Sequence, residues 1–164
     1  MKERAKMGNR QHLSVAYWQS PIGIIALEAD TDVLVSLQFV SGTEGRHRDI
    51  VTSHPVLKQT ISQLHRYFKG DLKTFDLPLS VSGTSFQSDV WHALGTIPYG
   101  EIRCYKDIAT LVGRPKSYRA VGMANSKNPI AIVIPCHRVV GADGDLIGYS
   151  GGIERKKFLL ELEK

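Results

Sequence analysis

The chain has 164 residues, 42% of them hydrophobic and 23% charged, a composition typical of one compact globular domain or two half-sized ones. Its formal net charge of +5 is modest, so total charge alone does not indicate a partner. No segment approaches the roughly 20 apolar residues that a membrane span needs, so we expect neither a membrane protein nor a membrane partner.

The first 80 residues predict a small α+β unit. Residues 1–12 are charged and have no apolar run behind them, which predicts a flexible start in a cytoplasmic protein without a secretory signal. Residues 13–40 alternate in polarity between breaks at SPIG and DTD, so we expect an antiparallel meander of three strands. A polar loop over 41–53 comes next. Apolar residues then recur at helical spacing up to Gly70, where the helix should stop: Leu57, Ile61, Leu64 and Phe68.

Three short helices are predicted after residue 82. Thr84 and Gln87 form a capping-box pattern at the start of the first helix. The second begins near Tyr105 and ends before Gly113, and the third runs from residue 116 or 117 to Ser126. The last two are joined by a tight turn and make a helix-turn-helix candidate, with an ordinary helical hairpin as the alternative.

Positive charge is concentrated in the segment that contains this candidate. Between residues 103 and 138 a single acid, Asp107, stands against seven basic residues: Arg103, Lys106, Arg114, Lys116, Arg119, Lys127 and Arg138. Such an excess is typical of a surface that meets phosphates, and a solvated basic face without a ligand is the alternative. The third helix carries small residues that would allow close approach either to a narrow groove or to another helix: Ala120, Gly122 and Ala124.

The two cysteines differ in their neighbours. The apolar run at 131–135 predicts a buried strand that leads into Cys136, and an inert core thiol is the ordinary interpretation of such a position. The neighbouring His137 and Arg138 favour a reactive thiol at Cys136 instead, because a base and a positive charge can each stabilise a thiolate. Adjacent side chains point apart, so we expect a water between His137 and the sulfur. Cys104 is predicted to be structural, and both thiols are predicted to be reduced. The sequence has no Cys/His cluster with zinc-ligand spacing.

The sequence PCHRVVGADGDLIGYSGG at 135–152 resembles the active-site signature of the O6-alkylguanine-DNA alkyltransferases. The likeness continues upstream through GTSFQSDVWHAL, IPYGEIRCYKDIA and RAVGMANSKNPIAIVIPCHRV, so that residues 83–163 resemble the catalytic domain of that family. The resemblance implies an α+β fold. Residues 1–80 would form a ribonuclease H-like N-terminal domain, and residues 81–164 a mostly helical catalytic domain with a DNA-binding helix-turn-helix.

The resemblance also implies the roles of five residues in the reaction. Cys136 would be the alkyl acceptor, and His137 would take the thiol proton through a water while Glu163 orients the histidine. Asn128 would be the hinge that ties the helix-turn-helix to the active-site segment by hydrogen bonds. The Tyr105 hydroxyl would donate to guanine N3, so that the base leaves as neutral guanine.

Further residues would bind the base and the DNA, again by resemblance. The backbone around Val139 would read the exocyclic amine, while Tyr149 and the Ser150 amide would line the pocket and contact O6. Arg119 would occupy the stack after the damaged nucleotide is flipped out, because in this family the second helix of the motif enters the minor groove. The residues that would contact DNA are Arg114, Lys116, Tyr118, Arg119, Ala120 and Gly122.

The implied activity is DNA repair by direct alkyl transfer from O6-alkylguanine in double-stranded DNA to Cys136, as a methylated-DNA–protein-cysteine S-methyltransferase. O4-alkylthymine is a second candidate lesion. The product thioether is stable, so the protein should act once, as a suicide enzyme, without a cofactor or metal and as a monomer. The chain departs from some relatives in having no cysteine in its first 100 residues, and Ile147 would narrow the space for large alkyl groups.

Two other functions remain open at this stage. The first is a non-catalytic helix-turn-helix protein that binds DNA with alkylated bases, for which Cys136 would be dispensable. The second is a cysteine hydrolase, although adjacent Cys and His residues make an awkward dyad and no oxyanion-hole motif is present.

Overall fold

The computed structural model describes residues 13–40 and 52–164, so the predictions made for 1–12 and for most of the loop at 41–53 lie outside the described residues. Within the described residues, three consecutive strands come first and a mostly helical part follows, which is the segregated order of an α+β fold and confirms the predicted fold class. No helix in these two ranges is long and apolar enough to cross a membrane.

The N-terminal half begins with the predicted meander. Strands β1 (Ser14–Ser20), β2 (Gly23–Asp30) and β3 (Val33–Phe39) form an antiparallel sheet in the order β1-β2-β3. Every second side chain of β2 is buried, as expected when one face of a sheet covers a core: Ile25, Leu27 and Ala29. The prediction of three strands with two tight turns is therefore confirmed.

Helix α1 (Pro55–Phe68) packs against this sheet. Leu57, Leu64 and Tyr67 are fully buried on one face of the helix. Gly70 takes a positive φ of 78° and donates its amide to the Tyr67 carbonyl, which ends the helix at the predicted place. The chain then returns along β3, where Leu34 and Leu79 form a parallel bridge.

The C-terminal half is mostly helical, and its helices are α2 (Ser85–Gly95), α3 (Tyr105–Leu111), α4 (Tyr118–Ser126) and α5 (Ile153–Leu162). The capping box of Thr84 and Gln87 is present at the start of α2, as predicted. The Trp91 indole on α2 donates to the Ala124 carbonyl on α4 over 2.9 Å, which fixes the two helices against each other. A short parallel pair, β4 (Arg103–Cys104) and β5 (Val139–Val140), joins the helix-turn-helix to the residues after Cys136.

The predicted strand at 131–135 is wrong, although the segment is mostly buried as expected. Only Ile130 forms a bridge, to Leu37 on β3, and the chain then turns. Ile132 takes a positive φ of 69°, and the Val133 amide donates to the Ala131 carbonyl two residues back. The apolar run is therefore folded into turns. Beyond the Ala131 amide, which donates to Leu37 on β3, its backbone groups bond within the turns and to the Asn128 side chain.

The two halves share one core. Buried apolar residues of the sheet, α1, α2, α4 and the Cys136 segment belong to one continuous cluster. Across the junction, Leu37 donates to the Pro129 carbonyl and accepts from the Ala131 amide, both over 2.9 Å. The Gln38 side chain donates to the Asn128 carbonyl over 2.7 Å. Strand β3 thus holds the residues that precede the candidate nucleophile, and the division of the chain at residue 80 stays a prediction.

Candidate active site

Cys136 lies in a 3₁₀ turn that follows Pro135 and includes His137 and Arg138. The residue is only 1% exposed. Burial raises the pKa of the Cys136 thiol to about 11, although the Asn128 side chain and the positive charge of Lys156 act in the opposite direction. The thiol is therefore protonated at neutral pH, and it needs a base before it can act as a nucleophile.

The histidine beside it is fully buried and faces a carboxylate. His137 Nε2 lies 2.9 Å from Glu163 Oε1, at the end of α5. Because an ionised carboxylate only accepts hydrogen bonds, this contact places the proton on Nε2. The other ring nitrogen, Nδ1, is buried and has no hydrogen-bond partner among the described residues. Burial lowers the pKa of His137 despite the opposing effect of Glu163, so a neutral imidazole offers Nδ1 as a base.

Glu163 accepts hydrogen bonds from several directions. Arg138 donates from Nε to Oε2 over 2.8 Å and from a terminal nitrogen to Oε1 over 2.9 Å, and Tyr67 donates to Oε1 over 2.6 Å. Burial alone would raise the pKa of the Glu163 carboxyl, but the bonds from His137, Arg138 and Tyr67 hold it well below its ordinary value. Glu163 is therefore ionised in a site where it is only 2% exposed.

The interpretation of Arg138 as a cation beside the thiol, or as part of a phosphate-binding surface, is wrong. Its guanidinium is buried and fully engaged, by Glu163 and by the Ile97 carbonyl at 2.6 Å. Successive side chains of a tight turn point in different directions, so Arg138 faces away from Cys136 although the two are close in sequence.

The positive charge near the sulfur comes instead from Lys156 on α5, which the sequence analysis missed. Its ammonium group donates to the Val139 carbonyl over 2.5 Å and to the Ile147 carbonyl over 2.7 Å, and the side chain is fully buried. Burial lowers the pKa of Lys156 to about 8, although Cys136 acts against this shift. The available signal was the spacing of Lys156, Leu159 and Glu163, which places all three on one face of α5.

Tyrosines form part of the surroundings of Cys136. The Tyr105 hydroxyl donates to the Ile147 carbonyl over 3.1 Å, and burial, followed by the nearby Cys136, raises its pKa. Tyr149 is buried, its hydroxyl has no partner within the described part of the chain, and burial and Cys136 raise its pKa in the same way. Ser150 is exposed beside it, while the carbonyl of the buried Val139 already accepts from a lysine.

Asn128 links the end of α4 to the segment before Cys136. It is 3% exposed, its side-chain amide donates to the Ile134 carbonyl over 2.7 Å, and its side-chain oxygen accepts from the Ile130 amide over 3.0 Å. The Asn125 side chain, also missed by the sequence analysis, lies near by and donates to the Cys136 carbonyl over 3.4 Å. These bonds connect the helix-turn-helix with the turn that carries the thiol.

The candidate DNA-contacting residues lie around the start of α4. Arg114, Lys116, Tyr118, Arg119 and Ala120 are exposed, and Gly122 is half-buried. Ala124 is buried, so its small size serves helix packing and not groove approach, whereas Ala120 is open to solvent. Tyr118 and Met123 add large exposed apolar surface, at 39% and 64% exposure. Apart from Arg138, the basic residues counted between 103 and 138 are exposed on this half of the molecule.

In the described ranges, no three His, Cys, Asp or Glu side chains are grouped so that they could hold a metal ion. The buried charged groups of Arg138, Lys156 and Glu163 are instead paired with one another, with His137 or with backbone carbonyls.

The fold and the site together define a class: an α+β half joined to a helical half, with a buried Cys–His–Glu arrangement beside a helix-turn-helix. A family model described as the DNA binding domain of 6-O-methylguanine DNA methyltransferase matches residues 85–164. The model of its ribonuclease-like domain matches residues 13–81. The chain belongs to the 6-O-methylguanine DNA methyltransferase family, as its resemblance predicted, and its N-terminal half is ribonuclease-like.

Individual relatives match over almost the whole chain. A methylated-DNA–protein-cysteine methyltransferase of Methanosarcina barkeri is 49% identical over 148 residues, which cover 89% of this chain and 94% of the relative. The protein of the same name from Mycobacterium leprae is 52% identical over 146 residues and 88% of each chain.

Solved structures agree with this relationship. The crystal structure of the Mycobacterium tuberculosis O6-methylguanine methyltransferase matches with a TM-score of 0.83 and 47% identity, over 93% of each chain. A crystal structure of Mycobacterium tuberculosis OGT in complex with DNA matches with a TM-score of 0.81 and 49% identity, over 90% of this chain and 91% of that one.

Proposed function

We propose that this protein repairs DNA by transferring the alkyl group of O6-alkylguanine in a duplex to the sulfur of Cys136, once per molecule. One observation carries the proposal: a neutral, buried thiol is followed by a neutral histidine whose Nε2 is held by Glu163 and whose Nδ1 has no partner among residues 13–40 and 52–164. The names of relatives that are about 50% identical, and the DNA bound to one solved relative, support the same activity.

The reaction is a substitution at the alkyl carbon. The Cys136 thiol gives its proton to His137 Nδ1 through a water, and the sulfur attacks the alkyl carbon. A carbon–sulfur bond forms as the bond between that carbon and guanine O6 breaks, and its electron pair stays on the guanine. The base takes a proton at N3 from the Tyr105 hydroxyl, so guanine leaves neutral. The imidazolium of His137 then gives its proton to the Tyr105 oxygen and restores the hydroxyl. The thioether has no second nucleophile to remove it, so no turnover follows, and no cofactor is needed.

The base pocket is proposed to lie between Tyr105, Tyr149 and the backbone of Val139 and Ser150. Because Cys136 is 1% exposed, the guanine reaches the sulfur only if this wall moves. The bond from Tyr105 to the Ile147 carbonyl is the contact that we expect to open, since the same hydroxyl then donates to the base. The Ser150 amide would donate to O6. The Val139 carbonyl would accept one hydrogen bond from Lys156 and a second from the exocyclic amine of the guanine.

DNA is proposed to bind through α4 in the minor groove, with the damaged nucleotide flipped out of the stack. Extrusion is required because a sulfur cannot reach O6 in line within a closed duplex. Arg119, exposed near the start of α4, would fill the space left in the stack. The exposed Arg114 and Lys116 would contact phosphates irrespective of sequence.

We also propose that the protein acts as a monomer in the cytoplasm and that its two domains span residues 1–80 and 81–164. Both cysteines are unbridged, which suits a reducing compartment. O4-alkylthymine stays a second candidate lesion.

The direct test is to mix the protein with duplex DNA that carries O6-methylguanine, digest the protein and locate any added methyl by mass spectrometry. We expect the methyl on Cys136 in the wild type and in Cys104→Ser, and none in Cys136→Ala. An intact lesion with no methylated protein would leave only the binding-protein function. Release of a free acid from an ester substrate would favour the hydrolase.

A further inference from the structure

A tyrosine from the ribonuclease-like half reaches the carboxylate behind the catalytic histidine. Tyr67, on the last turn of α1, is 0% exposed and donates its hydroxyl to Glu163 Oε1 over 2.6 Å, from a position 96 residues away in sequence. Nothing in the spacing of α1 distinguishes this tyrosine from an ordinary core residue. A buried donor at this distance from an ionised acceptor is a strong, charge-assisted hydrogen bond.

The oxygen that Tyr67 contacts is the one that faces the histidine. Oε1 of Glu163 lies 2.6 Å from the Tyr67 hydroxyl, 2.9 Å from His137 Nε2 and 2.9 Å from a terminal nitrogen of Arg138. Oε2 is held separately, by Arg138 Nε and more distantly by the Gly100 amide. The carboxylate is thus fixed from both sides, and among the described residues only Tyr67 supplies Oε1 with a donor from outside the C-terminal half.

The Tyr67 ring has little freedom to turn away. Phe68, Phe75 and Tyr99 pack around it with ring centroids 5.4, 5.3 and 6.2 Å from its own. Such contacts hold the ring in one orientation, so the hydroxyl stays directed at the carboxylate.

We propose that Tyr67 is a positioning residue for the alkyl transfer. Its hydroxyl directs Glu163 Oε1 at His137 Nε2 and makes that carboxylate a weaker acceptor for the histidine proton. The proposal rests on the proposed function of Cys136 and His137. It gives the N-terminal half a direct part in the chemistry, because the donor comes from α1 while the reacting groups come from the C-terminal half.

The sign of the effect follows from the charges. A donor to a carboxylate stabilises the negative charge and makes that oxygen a weaker acceptor for other protons. Without the hydroxyl, Glu163 attracts the imidazolium form of His137 more strongly, so the pKa of the histidine rises. The groups that face this pair are Tyr67 from α1, Tyr99 from the loop after α2, Arg138 from the 3₁₀ turn and Lys156 from α5. Tyr67→Phe removes the one of these groups whose hydroxyl bonds Glu163, and Tyr99→Phe serves as its control.

The test compares Tyr67→Phe with Tyr99→Phe. Tyr99 belongs to the same aromatic cluster, but its hydroxyl donates to the Leu162 carbonyl over 3.0 Å and not to the carboxylate, so it is a matched control. In Tyr67→Phe we expect the titration midpoint of the His137 imidazole, followed by nitrogen NMR, to rise by about half a pH unit or more. In Tyr99→Phe the midpoint should stay at the wild-type value.

Single-turnover methyl transfer provides the second readout. Since neutral His137 is the active form, the acidic limb of the pH–rate profile should move to higher pH in Tyr67→Phe, with the deficit growing as pH falls. A purely structural role for Tyr67 would lower stability without moving the profile. A Tyr67→Phe profile that coincides with that of Tyr99→Phe would overturn the inference while leaving the proposed function intact. Absence of transfer by the wild type would overturn the proposed function itself.

The wild-type protein offers a measurement that does not depend on how well the variant folds. The Tyr67 hydroxyl proton, buried in a short bond to a carboxylate, should exchange slowly, give a downfield proton resonance and show a through-space contact to the His137 Nε2 proton. If that resonance is missing, or does not respond when His137 is protonated, Tyr67 does not act on the pair.

Discussion

A buried thiol is a poor nucleophile until a neighbouring group takes its proton and another stabilises the charge that remains. At Cys136 these tasks fall to different elements of the chain. His137 offers a ring nitrogen, Nδ1, that no group in the described part of the chain bonds, and Lys156 brings a positive charge from α5. With a pKa of about 11, the thiol is protonated at neutral pH. In the proposed reaction, His137 and Lys156 lower the barrier once the damaged guanine is bound.

Replacement of Lys156 by Met tests the second of these tasks. The variant removes the charge that opposes the raised pKa of Cys136, and it also leaves two carbonyls without their donor. We expect the single-turnover rate to fall about tenfold or more, since one pKa unit corresponds to about 1.4 kcal/mol. Lys157→Met is the control, because that neighbouring lysine is exposed. Equal rates in the two variants would show that Lys156 is structural only.

The pH dependence of the wild type follows from the directions of the two pKa shifts. The active form combines a protonated thiol with a neutral His137, and the pKa of Cys136 is raised while that of His137 is lowered. The transfer rate should therefore be flat near neutral pH and fall below the ordinary histidine range, about 6.5. It should also fall above the pKa of Lys156, about 8, where the positive charge near the thiol is lost. A rate that rises steadily with pH between 6 and 9 would indicate attack by free thiolate without the histidine.

How far single residues could be predicted depended on whether their function is visible in sequence. Cys136, His137 and Glu163 followed from the resemblance, and the structure brings them together. Lys156 and Tyr67 could not be predicted as part of the site, because a lysine in a charged helix and a tyrosine on an apolar helix face have no feature in the sequence that marks them. Only the tertiary contacts show that one is buried among carbonyls and the other aimed at a carboxylate.

Elements with a regular pattern were predicted well, and the segment without one was not. Strands β1 to β3 and the helices up to α4 follow the alternation, spacing and caps of the sequence, since local preference and burial agree there. The apolar run at 131–135 has the composition of a strand, but the Asn128 side chain bonds the Ile130 amide just before it and the Ile134 carbonyl within it, which favours turns. That side-chain clamp overrides β-propensity.

The helix-turn-helix makes its own prediction through Arg119. If this arginine replaces the extruded nucleotide, Arg119→Ala should slow transfer from duplex DNA by about tenfold or more, since unstacking a base costs a few kcal/mol. Transfer from the free base O6-methylguanine should be unaffected, because no extrusion is needed. Lys127→Ala, an exposed cation just after α4, is the control. An equal loss on duplex and free base would place Arg119 in the pocket and not in the stack.

On the scale of the whole molecule, the site lies inside a core that both halves share. Strand β3 holds the residues before Cys136, α1 contributes Tyr67, and α5 contributes Lys156 and Glu163. A change at the sulfur is therefore transmitted to contacts on every side, because a densely packed interior does not absorb added volume locally.

Alkylation should for this reason destabilise the fold. A methyl added to a residue that is 1% exposed overpacks its surroundings, which costs about 1–3 kcal/mol. For a chain of this size we expect the melting temperature to fall by about 2–4 °C per kcal/mol, measured by calorimetry before and after reaction. Cys136→Ala, treated with the same DNA, should not change. An unaltered melt of the methylated protein would mean that the site has room for the product.

The central claim is that Cys136 takes one alkyl group from DNA and keeps it. The most direct measurement mixes a known amount of protein with an excess of duplex that carries isotope-labelled O6-methylguanine, and follows the intact protein mass and the repaired guanine together. We expect repair to stop when one methyl per chain has been gained, with unmodified guanine formed in equal amount. Repair that continues beyond one equivalent, or guanine restored without any gain in protein mass, would contradict the account.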